Sequence, residues 1–319
     1  MPEAAPEPAL HPDMQILLQA RDPAPGQDVH ESRRKWREYT ARLGRPHPET
    51  LAVTEEDVPV GGRAVRVRIY RNRSAQGPQP CLLYIHGGGF TKGDLDSSDA
   101  IAWGYAQDAG VTVISVDHRL APEFPWPAPF DDCYEVLLAV SENAGHFRID
   151  RARIIIGGES SGAFLTASVA LRARDEGHVS LIGQVLVCGG AGTAEASSSY
   201  AQFGTGLSVT EKDMQAFYSA LFAGMDYRSD PYAWPIANPD LSGLPPGWVH
   251  CAQIDPTRDD GRAYAARLML AGNDVVYREA RGMLNGFLRA RFTGAGARSE
   301  YEAICAFIRD RCHPRNSHT

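Results

Sequence analysis

The stretch "IIIGGESSGAF" (154–164) limits this chain more than any other. Three isoleucines run into two glycines, and small residues then lead into a helical pattern. Strand, tight turn and helix in that order belong to α/β architectures, where a sheet presents such turns along one edge. Within it, Gly158-Glu159-Ser160-Ser161-Gly162 has the form G-x-S-x-G. The glycines allow a sharp turn that lifts the Ser160 hydroxyl clear of the sheet. A helix beginning at Ser161 would aim its free N–H groups and positive dipole end at a reacting oxygen. The competing reading is a glycine-rich βα turn with capping serines.

The rest of the chain repeats this alternation. "RAVRVRIYR" (63–71) alternates as a half-buried strand does, while "CLLYIH" (81–86), "VTVISVD" (111–117), "RIIIGG" (153–158), "IGQVLVC" (182–188) and "GWVHCAQID" (247–255) are short β-branched or aromatic runs. Helical patterns at 97–109, 130–143, 161–174 and 259–272 lie between them. The closely spaced first strands predict an antiparallel start, and the later alternation predicts a mostly parallel sheet with helices on both faces. Before this domain, residues 1–50 carry two helical patterns, 13–20 and 28–44. Neither buries its apolar side alone, so both are expected to lie across the main domain as an N-terminal cap segment. The main domain spans 51–319, interrupted at about 190–240 by a Ser/Gly-rich loop and an aromatic helix, "VTEKDMQAFYSALFAG" (209–224), read as a cap insertion.

Composition excludes several classes of function. The 319 residues are 43% hydrophobic and 22% charged, enough for a large core without a disulfide or metal staple. A net charge of −7 argues against a nucleic-acid partner, and the one dense basic run, "ESRRKWRE" (31–38), reads as a solvated amphipathic helix. The 6 cysteines form no CxxC pair, which predicts reduced, mostly buried thiols and no zinc site. "MPEAAPEPAL" has acids and prolines where a signal peptide has a basic end and an apolar run, and no stretch reaches the roughly 18 apolar residues of a membrane span. A cytoplasmic protein is expected.

A second glycine-rich turn, "YIHGGGF" (84–90), follows the strand at 81–86. Consecutive glycines bring backbone N–H groups close to a ligand, and no phosphate-binding G-x-x-x-x-G-K-[ST] is present. His86 reads as structural, holding the loop. Together, "HGGGF" (86–90), "DHRLAPEFPWPAPFDD" (117–132), "GESSG" (158–162), "DPYAWPIANPDLSGLPP" (230–246) and "DPTRDDGRAYAARL" (255–268) resemble the hormone-sensitive-lipase family of α/β-hydrolase esterases, from about residue 50 almost to the C-terminus. The resemblance implies an eight-stranded sheet with a helical cap and a carboxylesterase acting on small acyl esters, with no metal or organic cofactor. It assigns Ser160 as nucleophile, the N–H groups of Gly88, Gly89 and Ser161 as the oxyanion hole, and Asp255 as the carboxylate that orients a base. Read from its residues alone, Asp255 could equally cap a helix. The cap aromatics Phe203, Phe217, Tyr218 and Phe222, with Trp36, are expected to line an apolar pocket or to pack as cap core. A homodimer through 274–280 and 297–312 is expected by analogy.

One position departs from this pattern. Where the family has His-Gly-Phe, this chain has Asn285-Gly286-Phe287. An amide donates and accepts hydrogen bonds but has no useful basicity. The expectation is a nearly inactive catalyst with an intact pocket, Asn285 standing as an engineered replacement for the histidine base of an otherwise ordinary esterase. The alternatives are a natural pseudoenzyme that binds a small molecule and an enzyme with a rerouted base.

Overall fold

The computed structural model describes residues 8–22, 26–189, 192 and 197–313. Among these residues, eight strands form one sheet: β1 Leu51–Val60, β2 Arg63–Asn72, β3 Gln79–Ile85, β4 Thr112–Val116, β5 Ile149–Glu159, β6 Leu181–Val187, β7 Gly247–Ile254 and β8 Val275–Leu284, in the order β1-β2-β4-β3-β5-β6-β7-β8. The β1–β2 and β2–β4 pairs are antiparallel and the other pairs parallel. This is the α/β arrangement the alternation predicts. β1 was not resolved as a separate strand by the sequence pattern. It pairs with β2 across a two-residue turn in which Gly61 and Gly62 both have positive φ (48° and 79°), as a tight hairpin requires.

The helices are α1 Gln15–Ala20, α2 Val29–Leu43, α3 Leu95–Ala109, α4 Ala128–Glu142, α5 Ser161–Glu176, α6 Ser198–Phe203, α7 Glu211–Phe222, α8 Arg258–Leu270 and α9 Ala295–Cys312. They divide the apolar core into two layers. α4, α5 and α8 cover one face of the sheet, and α1, α3 and α9 cover the other. β3, β4 and β7 are buried almost end to end, as strands covered on both sides must be. All six cysteines are free and buried. No helix among the described residues is long and apolar enough to cross a membrane.

The topology places the site. From β3 the chain crosses to β4 on one side, and β5 then returns to the other side of β3. Loops leaving the carboxyl ends of β3 and β5 therefore diverge, and the crevice between them is where open α/β sheets bind ligands. Both glycine-rich turns, 86–90 and 158–162, lie there. α2 crosses this edge, and its basic run is tied down by ion pairs: Arg33 to Glu123 at 2.7 Å, Lys35 to Asp22 at 3.2 Å, and Arg37 to Asp94.

Candidate active site

Ser160 occupies the turn between β5 and α5 with φ 56° and ψ −120°, a strained conformation for a residue bearing a side chain. Its N–H donates to Val187 O at 2.8 Å. It stands at the N-cap of α5, yet its side chain makes no capping bond, so the hydroxyl stays free for other work. The strain persists because the neighbouring backbones leave no alternative. A Cβ on Gly158 or Gly162 would collide with Gly162 O or Ile85 O respectively.

Opposite Ser160 lies the loop after β3. Gly88 and Gly89 have positive φ (138° and 63°), which turns the loop over the cavity. A Cβ on Gly87 would stand 2.5 Å from Glu159 O, so this loop and the serine turn are in backbone contact. Among the described residues, no hydrogen bond to a protein acceptor engages the N–H groups of Gly88, Gly89 or Ser161. His86 is buried behind the loop, stacked on His118 with ring centroids 4.2 Å apart, and burial pushes its pKa down to about 3. A neutral, enclosed His86 fits the structural reading.

Asp255, at the end of β7, is fully buried. Thr257 donates to its Oδ1 through both N–H and Oγ1, each at 2.9 Å, and Asn285 Nδ2 donates to its Oδ2 at 2.9 Å. Burial raises the carboxyl to about 6, against the opposing pull of these donors. Asn285 Nδ2 also donates to Cys188 O at 3.0 Å, so both amide hydrogens are engaged. The reverse amide orientation would set an oxygen against two acceptors. Gly286, with φ 84°, then turns the chain into the 3₁₀ turn Phe287–Phe292.

Ser160, Asn285, Gly87, Gly88 and Gly89 line one cavity of about 540 Å³, roofed by α2 and α7. No histidine among the described residues lines it. His11 bonds Asp13 N at the N-terminal 3₁₀ turn, His250 pairs with Glu300 at 3.0 Å, and His146 pairs with Glu56 at 3.1 Å, all away from the cavity.

The aromatic lining differs from the expectation. Phe217 and Trp36 border the cavity, whereas Phe203, Tyr218 and Phe222 do not. Helical spacing explains the correction. On α7, Asp213, Ala216, Phe217 and Ala220 face the cavity, so Tyr218 and Phe222 turn the other way onto Trp234, with ring centroids at 5.3 and 4.7 Å. Phe203 lies buried beneath the Arg258 guanidinium.

Other cavity residues carry no local sequence motif. Glu159, beside Ser160, receives both of its oxygens' contacts from Arg289 Nη1 at 2.8 Å, and both side chains are almost fully buried. The Arg289 guanidinium lies 5.3 Å from the Trp36 ring centroid. Arg289 follows Asn285 by four positions, so this ion pair ties the turn holding Asn285 to the turn holding Ser160. The only hint in the sequence is an arginine inside an apolar run, "GFLRARF".

A strained serine at a strand-to-helix turn, a triple-glycine loop with free N–H groups and a buried carboxylate after a later strand define a serine hydrolase of the α/β-hydrolase class. The comparisons agree with that class and narrow it. The alpha/beta hydrolase fold family matches residues 82–289. The chain is 32% identical to the carboxylic ester hydrolase LipN of Mycobacterium tuberculosis over 94% of its own length and 82% of that protein. It is 36% identical to the carboxylesterase NlhH of the same organism, over 75% of this chain and 76% of that one. A solved hyperthermophilic esterase from the archaeon Pyrobaculum calidifontis superposes with a TM-score of 0.87 at 31% identity, covering 95% of this chain and 98% of that one. The chain belongs to the α/β-hydrolase family, in its branch of hormone-sensitive-lipase-type carboxylesterases.

Proposed function

We propose that this is a serine carboxylesterase site for small or short-chain acyl esters, aromatic ones included, in which Asn285 replaces the histidine base of an otherwise complete constellation. As it stands, the chain binds esters and turns them over very slowly. In the parent reaction Ser160 Oγ attacks the ester carbonyl, the N–H groups of Gly88, Gly89 and Ser161 hold the oxyanion, and water later releases the acyl group from Ser160. The step that fails is the proton transfer. The Ser160 hydroxyl proton needs a base that then passes it to the leaving alcohol. The described parts of the 1–50 segment and of the 190–240 insertion act as the cap, and Asp255 would orient a histidine at 285.

The observation that carries this reading is Asn285 itself. Its amide donates to Asp255 at 2.9 Å while bordering the same cavity as Ser160, the place a base would occupy. The test is Asn285→His with a p-nitrophenyl butyrate assay. Turnover should rise by several orders of magnitude, and an unchanged rate sinks the reading. Esters that bind without turnover even after the substitution would point to a natural small-molecule binder, which the full engagement of both Asn285 amide hydrogens also suits. For assembly, β8 is an edge strand with Val276 40% exposed, and we propose a homodimer through it and α9, to be read by light scattering.

A further inference from the structure

Among the charged groups that border the cavity, one stands apart. The acids are all engaged. Glu159 holds Arg289, Asp22 holds Lys35, and Asp213 Oδ2 accepts from Thr210 N–H at 2.9 Å and Oγ1 at 2.7 Å to cap α7. Among the cations, Arg289 and Lys35 are paired, and Arg21 donates to the carbonyls of Leu207 and Ser208 at 3.1 and 2.8 Å. Lys92 has no carboxylate within ion-pair distance and no side-chain hydrogen bond among the described residues. Its Nζ lies 5.1 Å from the Phe217 ring centroid on α7 and 5.7 Å from that of Trp36 on α2.

The position of Lys92 is fixed from both sides. Its backbone N–H donates to Gly88 O at 3.1 Å, and its carbonyl presses on Gly88 so closely that a Cβ there would collide with it. The ammonium is thus held between two aromatic faces of the roof and anchored to the glycine loop. Burial lowers its pKa, with the Asp213 charge opposing the shift. The rings stabilise the cation but supply no acceptor for its three N–H bonds. On the Trp36 ring it covers, Nε1–H is also buried without an acceptor. An ammonium kept half-buried with its donors unmet is costly unless a ligand brings the missing negative group.

We propose that Lys92 is a specificity residue, and that the cavity takes esters bearing a second, anionic group, a carboxylate at the end remote from the ester, as in a half-ester of a dicarboxylic acid. This rests on the ester-binding reading above. A single free ammonium with one neighbouring N–H matches a carboxylate better than a dianion, which would need a further unpaired cation.

The inert chain allows a direct measurement, because intact ester stays bound. Calorimetric titration at pH 7 compares monoethyl glutarate with the matching terminal amide, ethyl glutaramate. The half-ester should bind about tenfold or more tightly, the effect of one charge-assisted contact, and the gap should narrow with added salt. Lys92→Met should remove the difference between the two esters, and Lys92→Arg should retain it, which separates loss of charge from loss of packing. Equal binding of the two esters by the unchanged chain, or a preference that survives Lys92→Met, overturns the proposal. The two readings fail differently. If Asn285→His hydrolyses neutral esters as well as half-esters, only the role of Lys92 is lost. If neither ester binds and the substitution brings no turnover, both are lost.

Discussion

The floor and the roof of the cavity are built on different principles. The floor is backbone. Gly87, Gly88, Gly158 and Gly162 each sit where a Cβ would meet a neighbouring carbonyl oxygen, and Ser160 is held at a positive φ between them. The roof is side chain. Val29, Ser32, Trp36 and Tyr39 of α2 and Ala216, Phe217 and Ala220 of α7 present ordinary helical faces, and their residue types are free to vary without disturbing the helices. A site that must hold an oxyanion needs fixed donors, whereas a site that must choose among substrates needs exchangeable surfaces. The comparison teaches that, under the proposed function, reaction class is set below and selectivity above, with Asn285 as the position where the floor departs from that chemistry.

The predictions test that division, the largest effect first. Asn285→His should raise kcat for p-nitrophenyl butyrate by about 10⁴- to 10⁶-fold, measured by initial rates, since loss of the base in a comparable triad costs about a millionfold. A smaller gain would mean that the floor is not poised for catalysis. Arg289→Met leaves the Glu159 carboxylate buried without a partner and should cost about 3–5 kcal/mol in urea unfolding. In the Asn285→His background, Gly89→Ala should lower kcat by about 10²- to 10³-fold, because a methyl there would sit 2.6 Å from the Phe217 ring and displace an oxyanion donor.

Two smaller effects sharpen the contrast. Asp255 has a folded pKa near 6, above its ordinary 3.8, so the folded state holds the proton more tightly. Its contribution to stability is therefore fullest below pH 3.8 and declines as pH rises to about 6. Thr257 favours the charged form, so Thr257→Val should cost about 1.5–3 kcal/mol at pH 8 and markedly less at pH 4, read by thermal unfolding at both values. On the roof, Phe217→Ala in the Asn285→His background should change KM a few-fold with kcat nearly constant, the mark of uniform binding. A kcat loss as large as that of Gly89→Ala would erase the distinction between floor and roof.

Much of the floor was legible in advance because its demands are local. A strand that must turn at once into a helix needs small residues at fixed offsets, and "GGESSGA" has them. The aromatic roof was legible only as a set. The sequence offered five aromatics for the cavity, yet only Phe217 of α7 and Trp36 of α2 border it, and Tyr39 of α2 adds a ring the pattern did not single out. Glu159 and Arg289 are 130 residues apart, so nothing local announced their pairing.

By itself, then, the sequence determined the strand and helix order, the triple-glycine loop, the glycine-flanked serine turn and an amide at 285 where the family it resembles has an imidazole. Each follows from residue type and spacing, through backbone sterics and side-chain chemistry. Only the tertiary structure decided that Asn285 reaches Asp255, 30 residues away, and Cys188, 97 residues away, that Arg289 neutralises Glu159, and that Lys92 stands unpaired between two rings. Those outcomes depend on which distant surfaces packing brings together, and the free energy of a buried charge is set by that packing, not by its neighbours along the chain.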